Sequence, residues 1–484
     1  MKLHSVEITF YLNDKKVSAS VHPELTALRL IRDQFHLTGA KEGCAEGDCG
    51  ACSIAWGREV DGQLKYVAIN SCIFPAVKLH GTHVITTEGL ADGEKMHFIQ
   101  QAIVENHATQ CGYCTPGIVM SLFCLLANNP SPNKQEIYAA LEGNLCRCTG
   151  YLSITKAADA VVNTVSKNPQ KYKELIFPDY IKDIENRLKD IKNVTLKTSD
   201  ASEFDETHIY HTPSTLKEVF EKMQLHEDGY QIINGGTDIM VQANIRGIRH
   251  KHLIDISKLA ELNYIKEEQN EIKIGGNTTY AQLAVFAPVV DRVSVLVQAT
   301  GMIASQQIRN VATIAGNIAN ASPIGDMACV LLGLNARLVI CSATSEREIA
   351  LGNFYKAYKQ IDLGADEIIR EIIIPIPKGV CSFEKSSKRE SLDIATVNSL
   401  INYVIKNKKI VDCRIAFGGV APTPILAKKA ANYLLDKELT ESIINEAAKI
   451  AKEEFNPISD VRGSDNYRSL LIRNHIIKHL QSVL

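Results

Sequence analysis

Residues 42–52 read EGCAEGDCGAC, three thiols and three glycines in eleven positions from Glu42 to Cys52. The first eighteen residues, MKLHSVEITFYLNDKKVS, alternate apolar and polar side chains instead of forming the continuous apolar core of a secretion signal. No later run reaches the roughly 18 apolar residues that cross a bilayer. The expected setting is therefore the reducing cytoplasm, where crowded cysteines point to metal ligation or catalysis before disulfides. Nine of the thirteen cysteines precede residue 149, and eight of those nine form two tightly spaced sets.

Cys44, Cys49 and Cys52 follow the pattern C-x4-C-x2-C, with Cys72 in NSCIFP as a distant fourth candidate. That is the plant-type ferredoxin spacing for a [2Fe-2S] cluster. Gly43, Gly47 and Gly50 suit a loop that must wrap a bulky cluster and aim backbone amides at its sulfurs. Structural zinc is the weaker reading, because its ligands come in close pairs and nothing pairs closely with Cys72. The second set is CGYC at 111–114 and CRC at 146–148, which by spacing alone suits zinc, a redox dithiol or a cluster. Beside a ferredoxin-type loop, a second cluster is the consistent partner. Cys124, inside IVMSLFCLLA, reads as a core thiol, as do the isolated Cys329, Cys341, Cys381 and Cys413. The histidines, His97 and His107 among them, have no partner at metal-ligand spacing and read as structural or exposed.

At 484 residues the chain calls for several cores, and its 45% apolar content supports packed globular domains. The 53 basic and 55 acidic residues nearly cancel, which argues against a nucleic-acid or membrane-surface partner. Val6, Ile8, Phe10 and Leu12 alternate as on a strand, Asn13-Asp14 forms a turn, and Val17–Val21 returns as a second strand. A helix from Pro23, with Leu25, Leu28 and Ile31 on one side, is expected to end before the cysteine loop. From about residue 89 the apolar period becomes helical. Thr115-Pro116 reads as a helix start, the run Ile118 to Ala127 stops at Asn128-Asn129-Pro130, and Asn133 with Glu136 forms a capping box for a helix ending at Gly143. Residues 166–205 are dense in charge and read as an exposed linker with some helix. Beyond it come a strand at Tyr230–Ile233, a hairpin in YIKEEQNEIKIGG, a strand near Ala336–Cys341, and, from about 381, a smaller α+β unit ending in helices.

Two later segments invite a phosphate reading. Residues Ile232 to Asp238 (IINGGTD) follow a strand and offer amides and the Thr237 hydroxyl, and Thr313 to Asn317 lead to Asp326 through Ser322-Pro323. Neither matches GxGxxG or GxxxxGK[ST], so no Rossmann or P-loop site is supported. Downstream of two clusters, a flavin is the fitting occupant, because it exchanges one or two electrons.

GCAEGDCGAC, QCGYCTPG, GNLCRCTGY, INGGTD, IAGNIANASPIGD, FGGVAPTP and DVRGSDNYR stand in the order found in the molybdenum hydroxylases. Over nearly its whole length the chain resembles the small iron-sulfur/FAD subunits of the bacterial xanthine dehydrogenases within that family. The resemblance implies a multi-domain α+β chain. It comprises a β-grasp plant-type ferredoxin domain (1–88), a four-helix [2Fe-2S]-binding domain (89–165), a linker (166–205), a vanillyl-alcohol-oxidase-like FAD-binding α+β domain (206–380) and a C-terminal α+β flavoprotein domain (381–484). By the resemblance, Cys44, Cys49, Cys52 and Cys72 hold one cluster, and Cys111, Cys114, Cys146 and Cys148 the other. FAD would contact Ile232, Ile233, Asn234, Gly235, Gly236, Thr237, Asp238 and Ile239, then Thr313, Gly316, Asn317 and Asp326, and finally Ile369 and Lys385. Where animal members place an aromatic ring against the flavin, this chain has Ile303. The resemblance further implies a molybdopterin-binding large subunit as partner, in a heterotetramer of two pairs. NAD+ would be the electron acceptor, and no acid, base or nucleophile is required of this chain. Rival readings are another aldehyde or N-heterocycle substrate, another acceptor, or a zinc-stabilised interaction protein.

Overall fold

The computed structural model describes residues 5–60, 62–192, 197–198, 208–226 and 229–481. The chain divides into two compact units that do not follow it linearly. One comprises Met1–Thr212, His226–Asp255 and Ala304–Val311, and the other Pro213–Leu225, Ile256–Ile303 and Ala312–Leu484.

In the first unit, Val6, Ile8 and Phe10 are buried at 2%, 0% and 0% exposure, so the expected alternation marks the inner face of a strand, Val6–Leu12. It pairs antiparallel with Lys15–Val21 across Asn13-Asp14 and parallel with His83–Ile85. The sheet continues through Ser53–Val60 to Gln63–Asn70. The helix expected from Pro23 starts at Ala27, capped by Thr26, and passes into a wider turn at Leu30–Gln34. Leu28, Leu30 and Ile31 lie under the sheet.

Four helices follow, Phe98–Glu105, Thr115–Asn128, Lys134–Leu141 and Leu152–Lys167, packed around Ile103, Ile118, Leu122, Phe123, Leu126 and Val161. The capping box forms, with Glu136 N donating to Asn133 Oδ1 at 3.0 Å and Asn133 N to Glu136 Oε2 at 2.7 Å. At Thr115-Pro116 the cap position is Cys114, and the Thr115 hydroxyl instead pairs with Thr109 at 2.8 Å.

The stretch expected to be an exposed linker is packed where it is described. Ile176, Ile184, Leu188 and Ile191 are buried, and Tyr180 donates to the Gly89 carbonyl at 2.8 Å. Its charge density marks only the outer face of short helices whose inner face is apolar. Residues 193–196 and 199–205 of that stretch lie outside the described residues. A three-stranded parallel sheet completes the unit, with His252–Asp255 between Ile209–His211 and Tyr230–Ile233.

The second unit is built on two larger antiparallel sheets, beside a two-stranded one of Tyr355–Ala357 with Gln360–Ile361. The first runs Ile265–Glu268, Glu271–Gly275, Ile368–Pro375, Arg337–Cys341, Glu346–Ala350. Its expected hairpin closes through Gln269 and Asn270, both at positive φ (51° and 65°), as a tight two-residue turn between twisted strands demands. The second runs Val380–Ser386, Val397–Lys406, Lys409–Gly418, Ile425–Leu426, and carries helices Glu441–Glu454 and Asp465–Gln481. Of the cysteines read as core, Cys124, Cys329 and Cys341 are buried, whereas Cys381 and Cys413 are only half-buried at the margins of two apolar clusters. Among the described residues no helix is long and apolar enough to cross a membrane.

A buried polar ladder joins the last helix to the second sheet. The Ser399 hydroxyl pairs with His475 Nδ1 and His479 Nε2, each at 2.8 Å, while Ser386 pairs with His475 Nε2 at 2.8 Å and Ser382 with His479 Nδ1 at 3.0 Å. Burial lowers the two imidazoles from 6.5 to about 4 and about 3. The unfolded chain therefore binds more protons below pH 6.5, and stability contributed by the pair is lost as pH falls from about 6.5 toward 4. Thermal unfolding followed by circular dichroism should show the midpoint falling by several degrees between pH 7 and pH 5. A His475→Gln/His479→Gln chain should show a flatter dependence over the same interval.

Candidate redox-cofactor sites

The first cysteine set is assembled by the meeting of a loop and a strand pair. Ser53 faces Asn70 in the register of Ser53–Val60 with Gln63–Asn70, so Cys52 and Cys72 lie just past the same end, their sulfurs 3.3 Å apart. Cys44 and Cys49 come from the loop, and the amides of Asp48 and Cys49 point at Cys44 Sγ at 3.3 and 3.4 Å. Gly47 and Gly50 take φ of +86° and +68°, which lets the loop curl inward. Thiol hydrogen bonds, from Cys49 first and Cys72 second, hold Cys44 well below the ordinary thiol range. Cys49 and Cys72 are pushed up because each donates to that thiolate.

The second set converges as well. Cys148 Sγ lies 3.5 Å from Cys111 Sγ, and Cys114, at the head of Thr115–Asn128, shares a thiol hydrogen bond with Cys146. Burial raises Cys114 to about 12, whereas the Tyr113 amide and then Cys148 lower the exposed Cys111. Both sets offer only sulfur donors, a soft ligand shell suited to iron-sulfur clusters or zinc. Amides aimed at sulfur from a glycine-shaped loop fit the cluster reading of the first.

The two sets meet through backbone. Leu145 N donates to Cys49 O at 3.0 Å, and Asn144 Nδ2 to Gly50 O at 3.1 Å. A Cβ on Gly50 would sit 2.1 Å from the Gly143 carbonyl, and one on Gly117 would sit 2.2 Å from the Gly50 carbonyl. Gln307, far along the chain, closes this junction from within the first unit. Its amide reaches Ser121 Oγ at 3.0 Å and Asn144 Oδ1 at 3.1 Å.

The residues proposed for FAD fall in both units. In the first, Ile232 and Ile233 end a strand, Asn234 to Asp238 form the loop, and Ile239 opens the helix Ile239–Arg246. Gly236 is at φ +78°, with its vacant Cβ position 3.3 Å from Pro75. Lys78, buried at 7% exposure, donates to the Asn234 carbonyl and lies 3.5 Å from Asp255, which Tyr210 also contacts at 2.7 Å. In the second unit, Thr313 caps Ile314–Asn320 by accepting from Gly316 N at 3.2 Å. Asn317 Oδ1, shielded from solvent, accepts no hydrogen bond from the described chain. Asp326 and Lys385, singled out separately in sequence, form a buried ion pair at 2.7 Å. Asn398 donates to Asp326 at 2.6 Å, and Lys385 also donates to the Met302 carbonyl at 2.7 Å. Burial raises the Asp326 carboxyl, and Lys385 and Asn398 oppose that rise. Ile369 lies on the strand Ile368–Pro375 with its side chain in the sheet core, and Ile303 packs half-buried at the edge of the same core. Within the second unit, the shielded acceptor at Asn317 is a feature that fits a donor group of a bound nucleotide.

Sequence reading missed Lys78, Asp255, Asn398, Asn144 and Gln307. A lysine inside the otherwise apolar run IFPAVKL was the available signal for Lys78, and the place of Asn144 two residues before Cys146 in GNLCRCTGY was the signal for it; Asp255, Asn398 and Gln307 have none short of the fold.

Three family profiles match the chain in order: "[2Fe-2S] binding domain" over residues 86–159, "FAD binding domain in molybdopterin dehydrogenase" over 202–377, and "CO dehydrogenase flavoprotein C-terminal domain" over 382–483. A xanthine dehydrogenase of Emericella nidulans is 32% identical over 99% of this chain and 38% of its own length. Aldehyde oxidase 1 of Macaca fascicularis is 29% identical over 93% of the chain and 37% of its own length. The chain thus spans under two fifths of the length of these relatives. A solved chain of quinoline 2-oxidoreductase from Pseudomonas putida 86 superposes with a TM-score of 0.54 at 27% identity, covering 56% of this chain and 95% of that one.

Gly50→Ala places a Cβ at positive φ against a carbonyl, a strain of about 1–2 kcal/mol before the clash is counted. The reduced variant should lose one of two iron-sulfur signals in electron paramagnetic resonance and keep the other, as should Cys49→Ser. Asp326→Ala leaves the Lys385 ammonium buried without its carboxylate, a cost of about 3–5 kcal/mol. Its FAD-to-protein ratio should fall severalfold in absorbance after gel filtration, and Asp326→Asn should lose less.

Proposed function

We propose, for a chain whose domains match the iron-sulfur/FAD subunit of the molybdenum hydroxylase family, that it is the electron-relay subunit of a xanthine dehydrogenase. In this reading a molybdopterin-binding large subunit hydroxylates a purine, and this chain passes the electrons to NAD+, in a heterotetramer of two such pairs. The observation that supports it most is the convergence of both four-cysteine sets on one backbone junction, where Cys49 O accepts from Leu145 N beside Cys146. Cys44, Cys49, Cys52 and Cys72 would hold one [2Fe-2S] cluster, and Cys111, Cys114, Cys146 and Cys148 the other. Ile232 to Ile239, Thr313, Gly316, Asn317, Asp326, Ile369 and Lys385 would hold FAD. When bound, FAD supplies the exchange between one-electron carriers and a two-electron hydride acceptor.

The chain's own residues act by placement. Loop amides directed at Cys44 Sγ stabilise thiolate charge, and the buried Ser121–Asn144–Gln307 junction fixes the backbone contact between the two sets from its inner side. Lys385, fixed by Asp326 and the Met302 carbonyl, keeps a positive charge at one position in the second unit. No proton transfer by a side chain is required. The domain boundaries 1–88, 89–165, 166–205, 206–380 and 381–484 belong to this proposal, as does a cytoplasmic location.

The test is the visible spectrum of the native complex, kept anaerobic, before and after xanthine. Bleaching of the flavin and iron-sulfur bands, followed by recovery on adding NAD+, is the expected result. Bleaching by dithionite but not by xanthine would overturn the substrate while leaving the relay in place. Recovery with oxygen or a quinone but not NAD+ would overturn the acceptor.

A further inference from the structure

Three imidazoles meet at the three-stranded parallel sheet of the first unit. His211 ends the strand Ile209–His211 and His252 begins the strand His252–Asp255. Ile209 pairs with His252 and His211 with Ile254, so His211 and His252 share one face of the sheet by its two-residue period. His226 comes from the turn before the strand Tyr230–Ile233. The rings of His226 and His252 lie 3.7 Å apart at 14°, those of His211 and His226 4.9 Å apart, and those of His211 and His252 5.8 Å apart. Each residue offers one ring nitrogen, and the three nitrogens lie within 4.8 Å of one another. Nε2 of His211, Nε2 of His226 and Nδ1 of His252 are all shielded from solvent.

We infer that His211, His226 and His252 form a binding site for a borderline divalent transition-metal ion, zinc foremost, with a fourth position left for water. An imidazole-only set suits zinc, copper or nickel and disfavours magnesium and calcium, which take oxygen ligands. Three protein nitrogens with one open position are a known zinc arrangement. Ring stacking alone would be served by any aromatic side chain; three residues from three separate segments, each bringing a nitrogen to one place, is the requirement of a metal. At 14° the lone pairs of His226 and His252 lie in nearly parallel planes 3.7 Å apart at their ring centres, so ligation of one ion tilts one ring. His226 is suited to move, because it stands in a turn while the other two are set in strands. A bound ion would clip together the ends of two strands and the turn leading to the third, adding its binding energy to the stability of the sheet. This site is independent of the electron-relay reading.

The test uses the full chain with its iron-sulfur and flavin groups in place, treated with chelator, desalted and titrated calorimetrically with zinc chloride. Wild type should bind one zinc, and His226→Ala should bind it at least tenfold more weakly while keeping the visible spectrum that reports the fold. Zinc-edge X-ray absorption of the wild type should show nitrogen scatterers at about 2.0–2.1 Å with an imidazole pattern. No uptake by wild type, equal affinity in the variant, or a sulfur shell at about 2.3 Å would overturn the site. If His226→Ala loses its visible spectrum, the absorption measurement on wild type decides alone.

Discussion

The first unit depends on one place where backbones meet without side chains between them. Gly50 stands against Gly143, and Gly117 against Gly50, at separations that exclude even a methyl group. That approach brings the Cys49 carbonyl to the Leu145 amide and the Gly50 carbonyl to Asn144. Because Leu145 adjoins Cys146, the two cysteine sets are joined by one hydrogen bond and a few covalent bonds. In this contact closeness comes from glycine, and fixity from the hydrogen bonds of the buried Ser121–Asn144–Gln307 junction on its inner side.

The loop around the first set shows how a chain makes an electropositive lining without spending charged residues on it. Its carbonyls are taken up from outside. Arg32 holds those of Thr38 and Ala40, Asn70 that of Gly47, Ser53 and Asn144 that of Gly50, and Ser71 that of Cys52. With carbonyls engaged on the outer side, and Ala45, Gly47 and Gly50 at positive φ, amides of Asp48 and Cys49 turn toward sulfur. Successive N–H groups directed at one point form an anion-binding concavity, here centred on the Cys44 thiolate.

What could be read from sequence and what could not divide along contact range. The loop Cys44 to Cys52 and the pairs Cys111/Cys114 and Cys146/Cys148 could each be picked out because spacing within them is local, whereas joining the two pairs, and Cys72 to the loop, came from the family resemblance. The strand Val6–Leu12 and the Asn133–Glu136 box were legible because period and capping are local too. The hairpin at Gln269-Asn270 announced itself by its polar turn. Gln307 lies 186 residues from Ser121 and 163 from Asn144, and no local pattern marks it. The three clustered histidines escaped for the same reason, since neither gap between them has metal-motif length. Charge misled at residues 166–192, where dense Lys, Asp and Glu hid the buried stripe of Ile176, Ile184, Leu188 and Ile191. The interleaving of the two units is the extreme case, because a segment as short as Ala304–Val311 joins a unit remote in sequence.

Lys385 with Asp326 and Lys78 with Asp255 are ion pairs whose four side chains are all at most 8% exposed. Removing two such charges from water costs several kcal/mol per ion, which the mutual attraction recovers only with further hydrogen bonds. Those bonds are present. Asp326 accepts from Asn398, Lys385 donates to the Met302 carbonyl, Asp255 accepts from Tyr210, and Lys78 donates to the Asn234 carbonyl. Pairs of this kind add little net stability compared with apolar packing, so their value lies in position. One fixes the loop at Asn234 by its backbone, the other fixes the first turn of the helix Asp326–Gly333, and each does so in a segment that sequence reading associated with a dinucleotide. A surface loop held only by apolar contacts could slide by an ångström at little cost, whereas a loop tied to a buried charge cannot move without exposing that charge unpaired.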